Sequence, residues 1–569
     1  MRTALLAAVL LSTSASLADD LPEPATVFGF EPGADGKLAD WETHLRWYRA
    51  LDEASPRVML RSIGQSTLGR EMVLLEISSP ENLAARESIQ ADAALLADAR
   101  RLPAERAAEI CRDAKLVVLV SCGIHADEVG GSLMAARLAY DLAASDDPEV
   151  AEVLENVVVL LVPSMNPDGL DLIADWYRQS IGTPYEGGDM PWLYHDYAGH
   201  DNNRDWFMLN LAETRNLTRV LYREWFPRIV VDVHQMGRQG ARMFVPPYVD
   251  PLNPNIDPLL VTETNFFGMK MAMDLSAAGA RGVVQGVVFD NYWDGGLRNV
   301  PSRHNMVGIL VEAASARLAS PIFVEPDDLK GHGHALPTHE ARGNFPDPWP
   351  GGWWRLGDVV RYQEAAVRSV LSLAAIHRPA LLANGRRLSE RAIADGRNEP
   401  PFAYVLPPNQ SDPPTARWLL AVLSQGGVEV HRARSGFFAD DVEYPAGSHV
   451  VLMSQPYRAH AKDLLEVQTW PAGTAPGGDA ARPYDVAGWT LPLQMGVRCV
   501  EVRAPFEADL ALGDPPEETG ADLPEALAGG AWILPCRVNA SFLVANRLLA
   551  AGVQVGRVVE TAAGVAAPV

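Results

Sequence analysis

The chain has 569 residues, 48% of them hydrophobic and 21% charged, so it is long enough for two or more domains and can bury a large core. Its 48 Lys and Arg against 72 Asp and Glu give a net charge of -24. This excess of negative charge argues against nucleic acid as a partner, because phosphates require a basic surface. The four cysteines are too few for a disulfide scaffold.

The first 18 residues have the pattern of an export signal. Arg2 supplies a positive charge, residues 4–11 are apolar, and Ser16-Leu17-Ala18 is a small-x-small cleavage pattern. The apolar run is too short to span a bilayer, and no later stretch is long and apolar enough. We therefore expect cleavage after Ala18 and an exported protein, periplasmic or extracellular and of bacterial type, without a membrane span.

Four short aliphatic runs, at residues 115–120, 157–163, 228–233 and 306–311, are typical of strands buried on both faces of an α/β sheet. Helical patterns lie between them. This alternation predicts an α/β fold.

Polar residues follow or end these strands. They are His125 to Glu128, Asn166 to Gly169, His234 and Glu312. Open α/β sheets bind ligands at the carboxyl edge of their strands, so we expect these groups to lie near one another.

His125 and Glu128 are three residues apart, so one turn can present both to the same point. With His234 as a third ligand, two histidines and a carboxylate make a metal site that leaves a position for water. Asp232, two residues before His234, faces the same side in a regular strand. It either orients a ligand or makes a hydrogen bond in the core.

Glu312 ends an apolar run, where a carboxylate is costly unless it has a partner or a chemical role. It is a candidate base, or half of a buried salt bridge with Arg303 or Arg317. Asn203-Arg204 lies in a polar turn and suits a carboxylate clamp, or a loop held by its own side-chain hydrogen bonds.

A competing metal site is formed by His332, His334 and His339. This segment is rich in Gly and Pro and has no strand context, so we interpret it as a loop.

Four segments follow from these patterns: a signal peptide at 1–18, a catalytic domain at 19–378, a linker at 379–400 and a smaller C-terminal α/β domain at 401–569. The linker is predicted from a polar stretch punctuated by Gly and Pro, after a helix from about Leu356 to Ile376. A strand is expected at residues 532–534, among others in the C-terminal part.

Together these residues resemble the zinc carboxypeptidase family (peptidase family M14). The resemblance rests on an ordered set of motifs over residues 40–375: His125-x-x-Glu128, Asn166-Pro167-Asp168-Gly169, Asn203-Arg204 with Trp206, His234 and Glu312. The stretches GHDNNRDWFM and VDVHQ are most similar to a bacterial, exported branch whose members carry an extra C-terminal α/β domain, which residues 483–497 also resemble.

The resemblance implies an α/β fold with a mixed, mostly parallel sheet of eight strands and helices on both faces. It implies one Zn²⁺ per chain, held by His125, Glu128 and His234. Glu312 would act as general base toward a zinc-activated water and then protonate the leaving amine.

The family also implies residues that contact a peptide. Asn203 and Arg204 would hold the terminal carboxylate of the substrate, Arg178 would stabilise the oxyanion, and Tyr292 would close over the substrate. Many members have Arg immediately before the metal-binding Glu, where this chain has Asp127.

The resulting hypothesis is an exported zinc metallocarboxypeptidase that acts on peptides with a free C-terminus. The alternatives are a zinc amidase acting on peptidoglycan stem peptides or other amides, and an inactive zinc- or peptide-binding protein.

Overall fold

The computed structural model describes residues 21–199, 201–471, 482–513 and 534–557. The predicted export signal at 1–18 lies outside these residues, as does most of the strand predicted at 532–534.

An eight-stranded sheet forms the centre of the larger part of the protein. Its strands are β1 (Val58–Gln65), β2 (Glu71–Ile77), β3 (Leu116–Cys122), β4 (Val157–Val162), β5 (Ile229–Met236), β6 (Met243–Phe244), β7 (Val283–Val284) and β8 (Val307–Ala314). Their order is β1-β2-β4-β3-β5-β8-β6-β7. The strands β4, β3, β5 and β8 are parallel, while β1–β2, β2–β4 and β8–β6 are antiparallel pairs. The prediction of a mixed, mostly parallel eight-stranded sheet is confirmed.

Sixteen α-helices are found in the described part of the chain. They are α1 (Pro24–Phe28), α2 (Trp41–Ala54), α3 (Pro80–Ala84), α4 (Arg86–Ala97), α5 (Ala104–Asp113), α6 (Gly130–Ala144), α7 (Pro148–Asn156), α8 (Pro167–Ser180), α9 (Ala212–Arg219), α10 (Pro258–Ala277), α11 (Val300–Arg303), α12 (Leu356–Asn398), α13 (Pro413–Gln425), α14 (Arg458–Leu465), α15 (Leu491–Gln494) and α16 (Asn539–Ala550).

Helices cover both faces of the central sheet, and its inner strands are therefore buried. Every residue of β3 and β4 is buried. Successive side chains of a strand point to opposite faces, so Val118 packs in one apolar cluster with Leu138 of α6. Its neighbour Leu119 packs in a second cluster with Leu217 of α9. The predicted arrangement of helices on both faces is thereby present.

The segment predicted as a linker at 379–400 is helical instead up to Asn398. Helix α12 runs without interruption from Leu356 to Asn398, with Pro379 inside it. Beyond the proline, Leu381, Leu388 and Ile393 are buried. Packing of this apolar face outweighs the cost of one proline in the helix, whereas the sequence prediction treated Pro and Gly as helix breakers.

Helix α12 is also long and apolar enough to cross a membrane by length and composition, although 61% of its most apolar stretch is buried inside the protein. Core helices pass the same test, so the length of α12 is weak evidence for a membrane span.

The C-terminal part contains a separate sheet of five antiparallel strands. Its strands, in spatial order, are β16 (Val500–Val502), β11 (Ala403–Leu406), β15 (His449–Leu452), β12 (His431–Ala433) and β17 (Leu510–Leu512). Two small antiparallel pairs complete the strands: β9 (Ile322–Val324) with β10 (Gly352–Trp354), and β13 (Phe437–Ala439) with β14 (Val442–Tyr444). The sheet packs with α13 and α14 into its own apolar cluster. We call the described residues from 401 onward the C-terminal unit.

Candidate active site

Three neighbouring parallel strands bring the predicted metal ligands together. His125 follows β3 after a turn at Gly123, whose φ of +65° favours glycine and where a Cβ would lie 2.6 Å from the Ser132 hydroxyl. His234 lies near the carboxyl end of β5 and is directly opposite Glu312 on β8. Because parallel strands end at the same edge of a sheet, these residues meet there, as predicted.

His125, Glu128 and His234 form one cluster, with potential ligand atoms all within 4.8 Å of one another. The Nδ1 of His125 lies 2.8 Å from Oε1 of Glu128, and the Nδ1 of His234 lies 3.0 Å from Oε2. Both histidines thus turn the same ring nitrogen toward the same carboxylate. Two imidazoles and a carboxylate are the donors that catalytic Zn²⁺ sites use, so the residues present fit the ion.

A second carboxylate holds the other nitrogen of each ring. The Nε2 of His125 lies 2.8 Å from Oδ1 of Asp201, and the Nε2 of His234 lies 2.9 Å from Oδ2 of Asp232. Carboxylates in this position fix the orientation and tautomer of metal-binding histidines. Asp232 was a candidate for this role from its position two residues before His234. Asp201 was not predicted, because its only signal in the sequence is an acidic residue within a polar turn.

Charge pairing shifts the pKa values of the cluster in opposite directions. Burial alone would raise the pKa of Glu128, but the two adjacent histidines lower it to about 2. Burial would lower the pKa of His125, but Glu128 and Asp201 raise it to about 10. These opposite shifts both follow from the close contact of the two imidazole rings with carboxylates.

Glu312 lies beside this cluster and remains protonated more readily than an ordinary glutamate. Burial, aided by the negative charge of Glu128, raises its pKa to about 7, although His234 and the guanidinium of Arg298 oppose the shift. Its side-chain oxygens have no hydrogen-bond partner among the described residues, so the predicted salt bridge with Arg303 or Arg317 is not formed there. A carboxyl group with a pKa near neutrality is suited to both accept and return a proton.

Asn203 is an organising residue of the site. Its side-chain oxygen accepts hydrogen bonds from Trp206 Nε1 and from the backbone N–H of Leu297, at 2.8 and 3.0 Å. Its amide nitrogen lies 3.3 Å from Nε2 of His234. Asn203 therefore connects the polar turn to β5 and to the loop before α11, and both ends of its amide have partners.

Arg204 projects toward the C-terminal unit and is paired with two carboxylates. Its Nη1 lies 2.9 Å from Asp201, and its Nε donates to Asp485 at 2.7 Å. The guanidinium also lies over the rings of Trp293 and Tyr484. The predicted clamp residue is thus at the site, but it already holds an acidic partner.

Two further predicted residues make contacts elsewhere. Arg178, on α8, pairs with Asp40 and Asp175, each at 2.9 Å. The hydroxyl of Tyr292 donates to the backbone oxygen of Thr469, and its ring is buried. Within the described part of the chain, neither side chain makes a hydrogen bond or ion pair with His125, Glu128 or His234.

The Asn166-Pro167-Asp168-Gly169 motif has a structural role. Asn166 caps α8 by accepting from the N–H of Gly169 at 2.8 Å. Asp168 is fully buried and accepts from Ser66, the N–H of Leu68 and Arg70, which anchors the β1–β2 turn. A Cβ on Gly169 would lie 2.8 Å from that of Ala126, so only glycine lets α8 approach the loop that carries His125.

The competing histidine cluster is a loop, as interpreted from the sequence. His332 Nε2 accepts from the N–H of Ala241 at 3.0 Å, and His339 Nε2 donates to the backbone oxygen of Trp349 at 2.8 Å. Within the described ranges, the only group of ligating side chains close enough to share an ion is His125, Glu128 and His234.

The α/β sheet places a candidate metal site, formed by two histidines and a glutamate, at the carboxyl edge of its parallel strands. The model of the zinc carboxypeptidase family matches residues 44–227 of the chain. The chain is also similar to carboxypeptidase 2 of Trichophyton tonsurans and of Trichophyton rubrum, each 28% identical over 29% of this chain and 29% of the relative. The chain therefore spans less than a third of the length of these curated relatives.

Solved structures that are similar to this chain include a metallo-carboxypeptidase from Burkholderia cenocepacia, which is 14% identical and has a TM-score of 0.37. A second is a metallo-carboxypeptidase from Pseudomonas aeruginosa in complex with (2-guanidinoethylmercapto)succinic acid, 18% identical with a TM-score of 0.38. Each similarity covers 60% of this chain and 70% of the other.

Proposed function

We propose that this protein is a zinc-dependent metallocarboxypeptidase that hydrolyses the C-terminal peptide bond of peptides. The observation that carries the proposal is the convergence of both histidine Nδ1 atoms on Glu128, with Glu312 adjacent. One Zn²⁺ bound by His125, Glu128 and His234 would supply a Lewis acid and a more acidic water.

The protein's own residues would then carry the proton and orient the substrate. Glu312 would take a proton from the attacking water and deliver it to the leaving amine, since its pKa of about 7 suits both steps. Asp201 and Asp232 would keep the histidine rings in place. Asn203 and Arg204 would hold the terminal carboxylate, for which Arg is suited by its planar pair of donors.

The roles of Arg178 and Tyr292 in oxyanion stabilisation and substrate closure also stay proposals. Arg178 would have to leave Asp40 and Asp175, and Tyr292 would have to leave Thr469. Either role therefore requires a rearrangement on substrate binding.

The test is to incubate protein of known zinc content with a mixed peptide library, with and without a chelator, and to analyse the products by mass spectrometry. We expect chelator-sensitive loss of single C-terminal residues and no cleavage of the same peptides with a C-terminal amide. Cleavage of the amidated peptides would favour the alternative of a zinc amidase that acts on stem peptides or other amides. Zinc binding without cleavage of any peptide would favour an inactive zinc- or peptide-binding protein.

Two histidine variants serve as matched controls for the metal. His234→Ala removes a proposed ligand and should abolish both stoichiometric zinc and cleavage. His332→Ala removes a histidine of the competing loop and should keep both. Loss of zinc in His332→Ala, but not in His234→Ala, would show that the zinc site is in the loop that contains His332.

We also propose that the protein is exported and cleaved after Ala18. The support is the sequence pattern of residues 1–18. Mass spectrometry of the mature protein from a periplasmic fraction should give an N-terminus at Asp19, and an intact Met1 would contradict export by this signal.

A further inference from the structure

A short stretch of the C-terminal unit lies against the candidate active site. We call residues 484–487 the mouth segment. The Nε1 of the buried Trp293 donates to the backbone oxygen of Ala487 at 2.7 Å. The ring of Tyr484 lies 6.2 Å from that of Trp293. These contacts fix the mouth segment next to the polar turn that carries Arg204.

Asp485 is the acidic partner that this segment presents. Its Oδ2 accepts from Nε of Arg204 at 2.7 Å, and its Oδ1 accepts from the backbone N–H groups of Val486 and Ala487 at 2.7 and 2.8 Å. The backbone bonds orient the carboxylate, so the pair with Arg204 is built into the local fold. Both side chains are partly exposed, at 18% for Arg204 and 26% for Asp485, so solvent and solutes can reach the pair.

The charges around Arg204 leave little capacity for a third carboxylate. Its positive charge is opposed by Asp201 and Asp485. Asp201 is also engaged with His125, which its carboxylate orients. Of the two acidic partners, Asp485 is therefore the one that can leave Arg204 without disturbing the histidine cluster.

Tyr484 connects the mouth segment to Arg298 as well as to Arg204. Its ring lies 4.4 Å from the guanidinium carbon of Arg298 and 5.4 Å from that of Arg204. Arg298 is buried and acts electrostatically on Glu312. The aromatic ring thus contacts two cations: Arg298, which acts on the candidate base, and Arg204 of the candidate carboxylate clamp.

We propose that Asp485 is a specificity-determining residue, which competes with the substrate for Arg204 and sets how tightly the site holds a free C-terminal carboxylate. This inference rests on the proposed function, because it takes Arg204 to be the group that binds that carboxylate. A substrate carboxylate would exchange with Asp485 in an ion-pair replacement that involves no covalent step. The C-terminal unit would therefore be part of the substrate site.

The test is the variant Asp485→Asn, which keeps a side-chain oxygen for the two backbone N–H groups but loses the negative charge. The probes are a tripeptide ending in D-leucine with a free carboxylate, and the same tripeptide with a C-terminal amide. Binding to zinc-loaded full-length protein is measured by calorimetry, so the readout does not require turnover. We expect about fivefold tighter binding of the free-carboxylate probe, the factor that corresponds to about 1 kcal/mol for a partly exposed ion pair, and no change for the amide.

Controls separate this effect from charge and from folding. Asp509→Asn removes the same charge from an exposed pair with Arg434 elsewhere in the C-terminal unit and should leave both affinities unchanged. Asp485→Ser, which keeps a short oxygen acceptor, replaces the first variant if its thermal unfolding differs from that of the wild type.

Unchanged or weaker binding of the free-carboxylate probe by the folded variant would overturn the proposal, as would equal tightening for both probes. Wild-type protein that binds the carboxylate probe but cleaves no peptide would contradict the proposed function and leave the competition by Asp485 intact. Absence of binding to the wild type and the variant alike would refute both.

Discussion

At the residue scale, the site is defined by carboxylates with different environments. Glu128 lies between two histidines that lower its pKa to about 2, whereas burial raises the pKa of Glu312 to about 7. Glu128 therefore favours its ionised form, while Glu312 can exchange a proton near neutral pH. This separation of pKa values between neighbouring acids is the arrangement expected when one binds and the other transfers protons.

The variant Glu312→Gln should keep zinc and lose turnover. The amide has the same shape as the acid but cannot take up a proton, so we expect kcat to fall by a factor of about 10² to 10⁴. Zinc content is measured by mass spectrometry and kcat with a peptide substrate. The exposed Glu325→Gln is the control and should behave as the wild type, and an active Glu312→Gln would remove this residue from the mechanism.

His44 makes the stability of the protein depend on pH. It is 1% exposed and packs against the ring of Phe28 at 4.8 Å, and burial lowers its pKa from 6.5 to about 4. Between these values the unfolded chain binds the proton more strongly, so stability falls as the pH falls. From pH 7.5 to 5.0 this group should cost about 2 kcal/mol.

The measurement is urea unfolding at both pH values for the wild type and for His44→Phe. The variant should lose less stability on acidification than the wild type, because the buried imidazole is gone. The exposed His377→Gln is the control and should keep the wild-type response. An identical loss in His44→Phe would show that the imidazole is not the source.

At the scale of elements, the register of parallel strands decides which side chains meet. His234 of β5 pairs with Glu312 of β8, and both strands are buried over almost their whole length. A shift by one residue would move either side chain to the opposite face of the sheet, and the buried apolar residues on both faces oppose such a shift. The core therefore also fixes the position of the candidate base relative to the proposed metal ligands.

Helix α12 supplies a prediction at this scale, because it contacts both parts of the protein. A Cβ on Gly396 would lie 2.0 Å from the backbone oxygen of Met453, which follows β15. Replacing glycine by alanine in a helix usually stabilises it by about 1 kcal/mol. For Gly396→Ala we expect the reverse, a loss of about 1–3 kcal/mol from the forced backbone shift.

Chemical unfolding of Gly396→Ala tests this contact. The exposed Ala394→Gly, two residues away in the same helix, is the control and should lose about 1 kcal/mol from helix propensity alone. A more stable Gly396→Ala would mean that the close approach of α12 to the C-terminal unit does not exist.

At the scale of the whole molecule, buried charges join the C-terminal unit to the central sheet. Arg303 of α11 donates to Asp463 of α14 at 2.8 Å, and the two side chains are 0% and 1% exposed. Asp463 also accepts from Asn253 at 3.0 Å. A carboxylate with these partners stabilises the contact only while all of them are present.

The variant Asp463→Asn should destabilise the protein by about 3–5 kcal/mol, because Arg303 would stay buried without a counter-ion. Thermal and urea unfolding measure the loss. The exposed Asp509→Asn, which breaks a surface pair with Arg434, should cost less than about 1 kcal/mol. Equal effects of the two variants would contradict a tightly docked C-terminal unit.

The four parallel strands beside the candidate site were predictable from the sequence, for local reasons. Aliphatic runs mark β3, β4, β5 and β8, and the polar residues that end them mark the metal cluster. Side-chain periodicity and the position of a residue at a strand end depend only on nearby sequence. The linker prediction failed because Pro379 is a local signal, whereas burial of Leu388 and Ile393 depends on distant packing partners.

By itself the sequence predicted an α/β fold and placed His125, Glu128, His234 and Glu312 at one edge of the sheet, because each follows or ends an aliphatic run. Only the tertiary structure decided that Asp201 orients His125 and that Asp485 pairs with Arg204. These partners are 76 and 281 residues apart in the chain. No local pattern encodes such pairs, because each forms only when folding brings distant segments of the chain together.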